Sequence, residues 1–245
     1  MWYENGSRSF KGNGMNIYAI SDLHLSVNNS KPMDIFGPVW DGYLDKIFNQ
    51  WKEIVGQDDV VLLAGDFSWA MKLENAIEDF KLLETLPGKK IIIKGNHDYW
   101  WSSVSKLRSI LPKDFYAIQN DAMKFGEFII CGTRGWQVIE RNAQRSPEDE
   151  RVYQREIIRL GLTLEAAKKL QQNNEKIICM MHYPPMNSTR DDSDFSLLFE
   201  KYNVDSVVYG HLHGYKNIPT YFEKNGVKYY LTSCDIVNNN LIKIY

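Results

Sequence analysis

A series of short apolar runs recurs along most of the chain and constrains its fold more than any other feature. Each run is rich in β-branched residues and nearly continuous, which predicts strands that are buried on both faces. Amphipathic stretches separate the runs and predict helices that cover the sheet. We therefore predict a mixed α/β fold. The predicted strands lie at residues 16–21, 59–65, 89–95, 127–132, 176–181 and 205–210, and the predicted helices at 40–55, 73–86, 99–110 and 191–202.

A longer amphipathic segment covers residues 146–173 and predicts a further helix. Ser146 suits the N-cap position, Pro147 suits the first helical position, and Asp149 suits the third, where an acidic side chain supports the cap. Gly161 falls inside this segment, and glycine weakens a helix because its backbone is freer in the unfolded chain. We therefore expect the helix to bend or break near Gly161.

The C-terminal segment from Tyr215 onward has no helical period and shows the spacing of hairpins. Asn225-Gly226 is typical of a two-residue hairpin turn, because both residue types tolerate positive φ. The asparagine run at residues 238–240 indicates a second turn. The chain is therefore predicted to finish in antiparallel strands.

Length and composition indicate a soluble globular protein. The chain has 245 residues and no linker-like stretch, so we expect a single domain over residues 15–245. Residues 1–14 are polar and rich in glycine, and are expected to form a flexible extension. No apolar run reaches the length of a transmembrane helix, and the N-terminus lacks the apolar core of a signal peptide.

The net charge limits the classes of binding partner, and the cysteine content indicates the cellular compartment. The net charge of -2 supplies no long-range field for a polyanion, which disfavours a protein that binds long nucleic acid. The chain has three cysteines, which is an odd number, and their spacing is not that of a metal site; they are Cys131, Cys179 and Cys234. The first two lie in apolar runs. We expect buried, reduced thiols there, which fits a cytoplasmic protein without a membrane partner.

All five histidines of the chain come directly after predicted strands. In open α/β sheets, ligands bind beyond the carboxyl ends of the strands, and side chains there converge even when they are distant in sequence. Five of the predicted strands end in residues able to bind metal. In chain order these residues are Asp22 with His24, Asp66, Asn96 with His97 and Asp98, His182, and the pair His211 and His213.

Each of these residues has an ordinary explanation when it is considered alone. An aspartate after a strand is usually a helix N-cap, and an asparagine after glycine is usually a turn residue. His211 and His213 could belong to a surface turn. These explanations give no reason for every histidine to lie at the same edge of the sheet. We therefore interpret the set as one metal site.

The order of these segments is similar to that of the calcineurin-like metallophosphoesterase superfamily. The family's blocks, D-x-H, GD, GNH[DE], H and GHxH, occur here in the same order between residues 16 and 214. The resemblance implies a two-sheet β-sandwich flanked by helices in four layers, with a dinuclear metal site at one edge. The matching residues are Asp22-Leu23-His24, Gly65-Asp66, Gly95-Asn96-His97-Asp98, His182 and Gly210-His211-Leu212-His213.

The resemblance also implies two divalent metal ions and a ligand set for each. Imidazole and carboxylate ligands suit Mn, Fe or Zn, of which we favour Mn, and the absence of cysteine disfavours a structural zinc site. Two divalent ions outweigh the charge of their ligands, so such a site attracts phosphate. The implied ligands are Asp22, His24 and His213 on one ion, Asn96, His182 and His211 on the other, and Asp66 as the bridge.

His97 remains after the ligands are assigned. By the resemblance it protonates the leaving oxygen or stabilises charge on the transferred group, and the alternative is a residue that only orients Asn96. Trp69 stands where protein Ser/Thr phosphatases of the superfamily have an aspartate, which disfavours that activity and leaves the partner of His97 open. Asp98 is better explained as a turn residue. His97 itself disfavours the lipid-A precursor pyrophosphatases, which have arginine at this position.

Arg134 and several tryptophans are further candidates for the substrate site. Arg134 follows a strand and either contacts a phosphate oxygen or lies on a surface turn. Tryptophans at strand ends either stack on a substrate ring or pack in the core; they are Trp69, Trp100, Trp101 and Trp136. We interpret an arginine stripe on the helix at 146–173 as a solvated face paired with Glu148 and Glu156. The stripe consists of Arg151, Arg155 and Arg159.

Together these features predict a metal-dependent phosphoesterase. The resemblance implies in-line attack of metal-bound hydroxide on a small phosphomonoester or phosphodiester, in a phosphorylated small molecule or nucleotide. A nuclease or cyclic-nucleotide phosphodiesterase is the alternative among enzymes, and a non-catalytic metal-binding scaffold is the alternative of another class. Loops select the substrate, mainly residues 25–40 and 133–175, and no motif there identifies it.

Overall fold

The structure is a computed structural model that describes residues 14–27 and 31–245. Its strands form two sheets that pack face to face across a shared apolar core. Except for Gly14, the predicted flexible extension at residues 1–14 lies outside the described residues.

The first sheet has four parallel strands and one antiparallel edge strand. It contains β1 (Ile17–Ile20), β2 (Val60–Leu63), β3 (Lys89–Ile92), β4 (Phe115–Ala117) and β11 (Ile242–Lys243). The order in space is β11-β1-β2-β3-β4, and β11 is antiparallel to β1. Because β1, β2 and β3 are parallel neighbours, the segments after them emerge side by side at one edge.

The second sheet also has a parallel centre with antiparallel edges. It contains β5 (Ala122–Phe125), β6 (Phe128–Thr133), β7 (Lys176–Met181), β8 (Ser206–Tyr209), β9 (Tyr221–Lys224) and β10 (Val227–Leu231). The order in space is β5-β6-β7-β8-β10-β9. The predicted turn at Asn225-Gly226 joins β9 to β10, and both residues have positive φ. The prediction of antiparallel C-terminal strands is confirmed, because β9 is antiparallel to β10 and β11 is antiparallel to β1, while β10 also pairs parallel with β8.

In the part of the chain that the structure describes, five α-helices cover the outer faces of the two sheets, as the four-layer prediction requires. The first sheet carries α1 (Tyr43–Ile54), α2 (Leu73–Glu84) and α3 (Val104–Ile110). The second sheet carries α4 (Pro147–Leu170) and α5 (Asp194–Lys201). Within residues 14–27 and 31–245, no helix has the length and apolar character needed to cross a membrane.

Strand β2 illustrates why the apolar runs are continuous. Val60 and Leu62 point into the core between the sheets, whereas Val61 and Leu63 point into the core beneath the helices of the first sheet. All four side chains are buried. Burial on both faces removes the polar alternation that an exposed sheet face would show.

Helix α4 begins as predicted but does not break. The Ser146 hydroxyl accepts a hydrogen bond from the backbone N–H of Asp149 at 3.0 Å, and Pro147 is the first helical residue. The helix then continues through Gly161 to Leu170, so the predicted break is wrong. Leu160 and Leu164 are fully buried on either side of Gly161, and this packing against the sheet holds the helix together.

Candidate metal centre

The seven predicted metal ligands lie together where the two sheets meet. They follow the carboxyl ends of β1, β2 and β3 in the first sheet and of β7 and β8 in the second. We call them the ligand cluster; its members are Asp22, His24, Asp66, Asn96, His182, His211 and His213.

One half of the ligand cluster surrounds the Nε2 atom of His213. This atom lies 3.2 Å from Oδ1 of Asp22 and 3.4 Å from Nε2 of His24. The three side chains together have ligand atoms close enough to bind a single ion. Imidazole nitrogens that face each other and a carboxylate in this way suit a divalent cation between them.

The other half surrounds the side-chain oxygen of Asn96. Oδ1 of Asn96 lies 2.7 Å from Nε2 of His182 and 2.9 Å from Nδ1 of His211. Oδ2 of Asp66 lies between the two halves, 3.4 Å from Nε2 of His182 and 3.9 Å from Nε2 of His24. The position of Asp66 is therefore compatible with a carboxylate shared by two ions.

Hydrogen bonds behind the ligands fix which ring nitrogen faces the centre. Nδ1 of His182 lies 3.0 Å from the carbonyl oxygen of Ala64 and can only donate there, so Nε2 is the nitrogen that would bind a metal ion once it has released its own proton. Nδ1 of His24 is buried without a hydrogen-bond partner among the described residues. This donor set, with nitrogen lone pairs and carboxylate oxygens converging, fits divalent metal ions.

The backbone around the ligand cluster is unusual because four of its non-glycine residues have left-handed φ angles. These are Asp22 at 60°, His24 at 47°, Asp66 at 50° and His211 at 72°. Such conformations cost about 1–3 kcal/mol each and are concentrated at functional sites. Glycine allows close approach nearby, since a Cβ atom on Gly95 would overlap the Asp66 carboxylate.

Burial and neighbouring charges shift the pKa values of the ligands in opposite directions. Burial lowers the pKa of His24 and His211 to about 4, so both rings are neutral at pH 7. For His182 and His213 burial also acts to lower the pKa, but carboxylate neighbours outweigh it and raise the values to about 9 and about 10. Burial acts to raise the pKa of Asp22, yet the hydrogen bond from His213 holds it well below its usual range.

His97 lies beside the ligand cluster. Its backbone N–H donates to Oδ1 of Asp66 at 2.8 Å, and its ring centre lies 5.7 Å from that of His24 and 4.6 Å from that of Trp69. Its ring nitrogens make no hydrogen bond to residues 14–27 or 31–245, so Asp98 is not its partner. The ring is therefore available to a bound molecule.

Asp98 is a turn residue, as the sequence indicates. Its carboxylate accepts hydrogen bonds from the backbone N–H groups of Phe67, Ser68 and Gly95, and from Nε1 of Trp100. Burial and the charge of Asp66 raise the pKa of Asp98 to about 7, while the N–H donors act in the opposite direction. Asp98 therefore joins the segments after β2 and β3, which carry Asp66 and Asn96.

Sequence reasoning missed Asp235. Its Oδ1 lies 2.9 Å from Nδ1 of His213, and its Oδ2 accepts the backbone N–H of Gly214 at 2.9 Å. Asp235 follows β10, whose carboxyl end lies at the same edge as that of β8. The signal was present, since an aspartate after an apolar strand is the pattern that identified Asp22 and Asp66.

The backbone of Arg134 lies next to the ligand cluster, and its guanidinium group contacts Trp136 and Glu156. The carbonyl oxygen of Arg134 accepts the backbone N–H of His182 at 3.1 Å. Its guanidinium lies 4.9 Å from the ring centre of Trp136 and 3.7 Å from Oε1 of Glu156. Glu156 is completely buried, so the interpretation of its helix face as solvated is wrong at this position.

The four tryptophans divide into two groups. Trp100 and Trp101 are buried and pack in the core beneath the first sheet. Trp69 stacks on His24, with ring centres 4.6 Å apart and an interplanar angle of 21°, and Trp136 contacts Tyr183. Of these four, Trp69 contacts the ligand cluster directly, and Trp136 is separated from His211 by Tyr183.

An apolar cavity of about 340 Å³ adjoins the ligand cluster on the side of His24 and His213. His97 also lines it, together with side chains from the segment that links β1 to α1. We call these side chains and Trp69 the apolar wall; its members are Met33, Phe36, Val39, Trp40 and Trp69. A flat ring bound against this wall would be next to His97.

Comparison with known proteins places the chain among phosphoesterases. A family model described as calcineurin-like phosphoesterase matches residues 15–215. A probable cyclic nucleotide phosphodiesterase from Coxiella burnetii is 22% identical over 82% of this chain and 77% of its own length. Another, from Vesicomyosocius okutanii, is 26% identical over 88% of this chain and 83% of its own.

Solved structures support the same fold. The crystal structure of TT1561 from Thermus thermophilus aligns with a TM-score of 0.57 at 14% identity, over 94% of this chain and 97% of that one. A protein of unknown function from Aquifex aeolicus, AQ665, aligns with a TM-score of 0.50 at 15% identity, over 94% and 96% of the two chains. At these identities the likeness concerns the fold alone.

Proposed function

Since the chain belongs to the calcineurin-like phosphoesterase family and is a metal-dependent phosphoester hydrolase, we propose that it hydrolyses a small nucleotide phosphodiester at a dinuclear centre. A cyclic nucleotide is the favoured substrate. The observation that carries the proposal is the convergence of the ligand cluster in two halves with Asp66 between them. The names of both curated relatives support the choice of a diester.

Each half of the ligand cluster would hold one ion, with Mn favoured. Bound divalent ions supply Lewis-acid chemistry and lower the pKa of water towards neutrality. The surrounding residues hold the ligands in place through buried hydrogen bonds and the left-handed turns described above. The proposed assignment is Asp22, His24 and His213 to one ion, Asn96, His182 and His211 to the other, and Asp66 to both.

We propose His97 as the acid that protonates the leaving oxygen. Its backbone is fixed to Asp66 and its ring nitrogens are free of other described residues, which leaves an N–H for a substrate atom. The apolar wall beside it suits the base or sugar of a nucleotide ester.

Domain organisation and location are also proposals. The apolar core shared by both sheets supports a single domain over residues 15–245. Cys131, Cys179 and Cys234 are buried free thiols, which supports the reducing environment of the cytoplasm.

The assay that tests the function uses purified protein, chelated and then supplied with Mn. It compares bis-p-nitrophenyl phosphate with p-nitrophenyl phosphate, and 3′,5′-cyclic AMP with AMP. We expect Mn to restore hydrolysis and both diesters to react faster than their monoesters. Faster monoesters would show that the diester assignment is wrong. No turnover of any substrate by protein that contains its metals would support the scaffold instead.

His97→Ala tests the role of the acid. We expect a loss of about 100-fold or more in kcat for cyclic AMP, and a smaller loss for bis-p-nitrophenyl phosphate, because nitrophenolate leaves without a proton. Metal content should stay at the wild-type level. Lys106→Ala, on the exposed face of α3, serves as the control. Equal losses for both substrates together with loss of metal would instead support a residue that only orients Asn96.

A further inference from the structure

A second cavity, of about 280 Å³, lies at the carboxyl ends of β3, β4 and β6. Its charged lining residues are Lys94, Arg134, Arg155, Glu156 and Arg159. Four cations against one carboxylate leave a local charge of +3, in a chain whose net charge is -2. We call it the cationic cavity. Such a concentration of one sign of charge in a concave site attracts anions.

The single carboxylate does not satisfy the arginines around it. Oε1 of Glu156 lies 2.6 Å from Nη1 of Arg159, but 3.7 Å from Nη2 of Arg134 and 3.8 Å from Nε of Arg155. The other oxygen of Glu156 lies 3.2 Å from the hydroxyl of Thr133. Since each guanidinium carries five N–H groups, most of these donors have no protein acceptor here. Nε of Arg134 is buried without a hydrogen-bond partner among the described residues.

Lys94 contributes a cation without a direct hydrogen-bond or ion-pair partner among the described residues. The residue is partly buried and lines the cationic cavity. Its ammonium group makes no hydrogen bond or ion pair with residues 14–27 or 31–245. A partly buried charge is usually paired, because removing it from water is costly. An anion bound in the cavity would supply the missing partner.

The cationic cavity is linked to the metal centre through the chain segments that carry Asn96 and His182, since the backbone N–H of His182 donates to the carbonyl oxygen of Arg134 at 3.1 Å. Lys94 precedes Asn96 by two residues, so their Cα atoms are at most about 7 Å apart. A chain of ring contacts joins Arg134 to His211. The guanidinium lies 4.9 Å from the ring centre of Trp136, which lies 5.1 Å from that of Tyr183, which in turn lies 4.2 Å from that of His211.

We propose that the cationic cavity binds a second phosphate group of the substrate. Guanidinium groups match the geometry of phosphate oxygens. A ligand carboxylate has a single negative charge, which would neutralise only part of the local charge of +3, so a phosphate group suits the cavity better. This inference rests on the proposed function, since the first phosphate of the same molecule is the one at the metal centre. The substrate class is then a nucleotide phosphodiester that carries a further phosphate on its nucleoside.

The test is calorimetric titration of Mn-loaded protein with adenosine 3′,5′-bisphosphate and with adenosine 5′-monophosphate. The wild type should bind the bisphosphate at least about tenfold more tightly, as expected for charge-assisted hydrogen bonds to an additional anion. Lys94→Gln and Arg134→Gln should each bring the ratio of the two dissociation constants close to one. Lys52→Gln, an exposed lysine on α1, should leave the ratio unchanged.

The outcomes separate this inference from the proposed function. If the monophosphate binds and the wild-type ratio is close to one, the second-phosphate site is wrong and the nucleotide assignment stands. The same conclusion follows if both variants are folded, as judged by thermal unfolding, and keep the wild-type ratio. If neither nucleotide binds, the nucleotide assignment is wrong and the second-phosphate site falls with it.

Discussion

The ligand cluster comes from the ends of buried strands, whereas the apolar wall comes largely from the segment between β1 and α1. Asp22 and His182 are fully buried, while Phe36 of the wall is 63% exposed. Hydrogen bonds and left-handed turns fix the ligands, but the wall consists of apolar side chains with few directional contacts. We therefore expect changes in the ligand cluster to affect every substrate strongly, and changes in the wall to affect particular substrates weakly.

Asp66→Asn should have the largest effect. The substitution removes the carboxylate between the two halves of the ligand cluster, so at least one ion should be lost. We expect kcat/KM to fall by about 1000-fold or more for all substrates. Elemental analysis and steady-state kinetics measure the two effects, with the exposed Asp58→Asn as control. Two fully occupied metal positions in the variant would show that Asp66 is not the bridge.

Asp235→Asn should have an intermediate effect. Asp235 holds Nδ1 of His213, and loss of such a partner typically lowers metal affinity by about 10–100-fold. Mn titration followed by activity measures the change, and the loss should be the same for every substrate. Asp34→Asn removes an exposed carboxylate from the segment that carries the wall and serves as control. Unchanged Mn affinity would show that Asp235 does not support the metal centre.

Metal binding should release protons. At pH 7 the metal-free protein holds protons on His182 and His213, with pKa values of about 9 and about 10, so Mn should displace about two protons. Release should decline as the pH rises through 9–10. Titration calorimetry in buffers of different ionisation enthalpy measures it. A binding heat that is independent of the buffer at pH 7 would contradict the protonation states.

The same pKa values predict how the metal-free protein responds to pH. Both folded-state pKa values lie above the value of about 6.5 for an unfolded histidine, so the stabilisation is complete below pH 6.5. It is lost as the pH rises through 9–10. The thermal midpoint of metal-free protein should therefore fall across this range. A thermal midpoint that rises across this range would contradict the raised pKa values of His182 and His213.

Phe36→Ala should have the smallest effect and should separate the wall from the ligand cluster. The ring lines the apolar cavity, and its loss should raise KM for cyclic AMP by about threefold, with unchanged metal content. Ile35→Ala is a matched control, because Ile35 is a neighbouring apolar residue, 72% exposed, that does not line the cavity. Equal effects of both substitutions would indicate a general disturbance of the segment.

The ligand cluster could be predicted because its members depend only on where buried strands end. Asp22, Asp66 and His182 each follow an apolar run, and such runs can be recognised in the sequence without knowledge of the loop conformations. Asp235 follows the same rule but was missed. The direction of β10 depends on its pairing with β8, and the hairpin pattern of the C-terminal segment does not encode that choice.

Tertiary packing explains the remaining differences. Gly161 does not break α4, because buried residues on both sides of it pack on the second sheet. The sequence pattern predicts that Glu156 lies on a solvated helix face, yet the residue is buried beneath the arginines of the cationic cavity. Strand β4 has only three residues, and β5 is partly exposed and contains Lys124, so neither forms a continuous apolar run.

The central claim is that the ligand cluster holds two ions with Asp66 shared between them. The most direct test is a crystal structure of Mn-loaded protein with anomalous scattering measured at the Mn absorption edge. The account predicts two anomalous peaks, one bound by Asp22, His24 and His213 and the other by Asn96, His182 and His211, with Asp66 contacting both. A single peak, or two peaks that share no ligand, would contradict it.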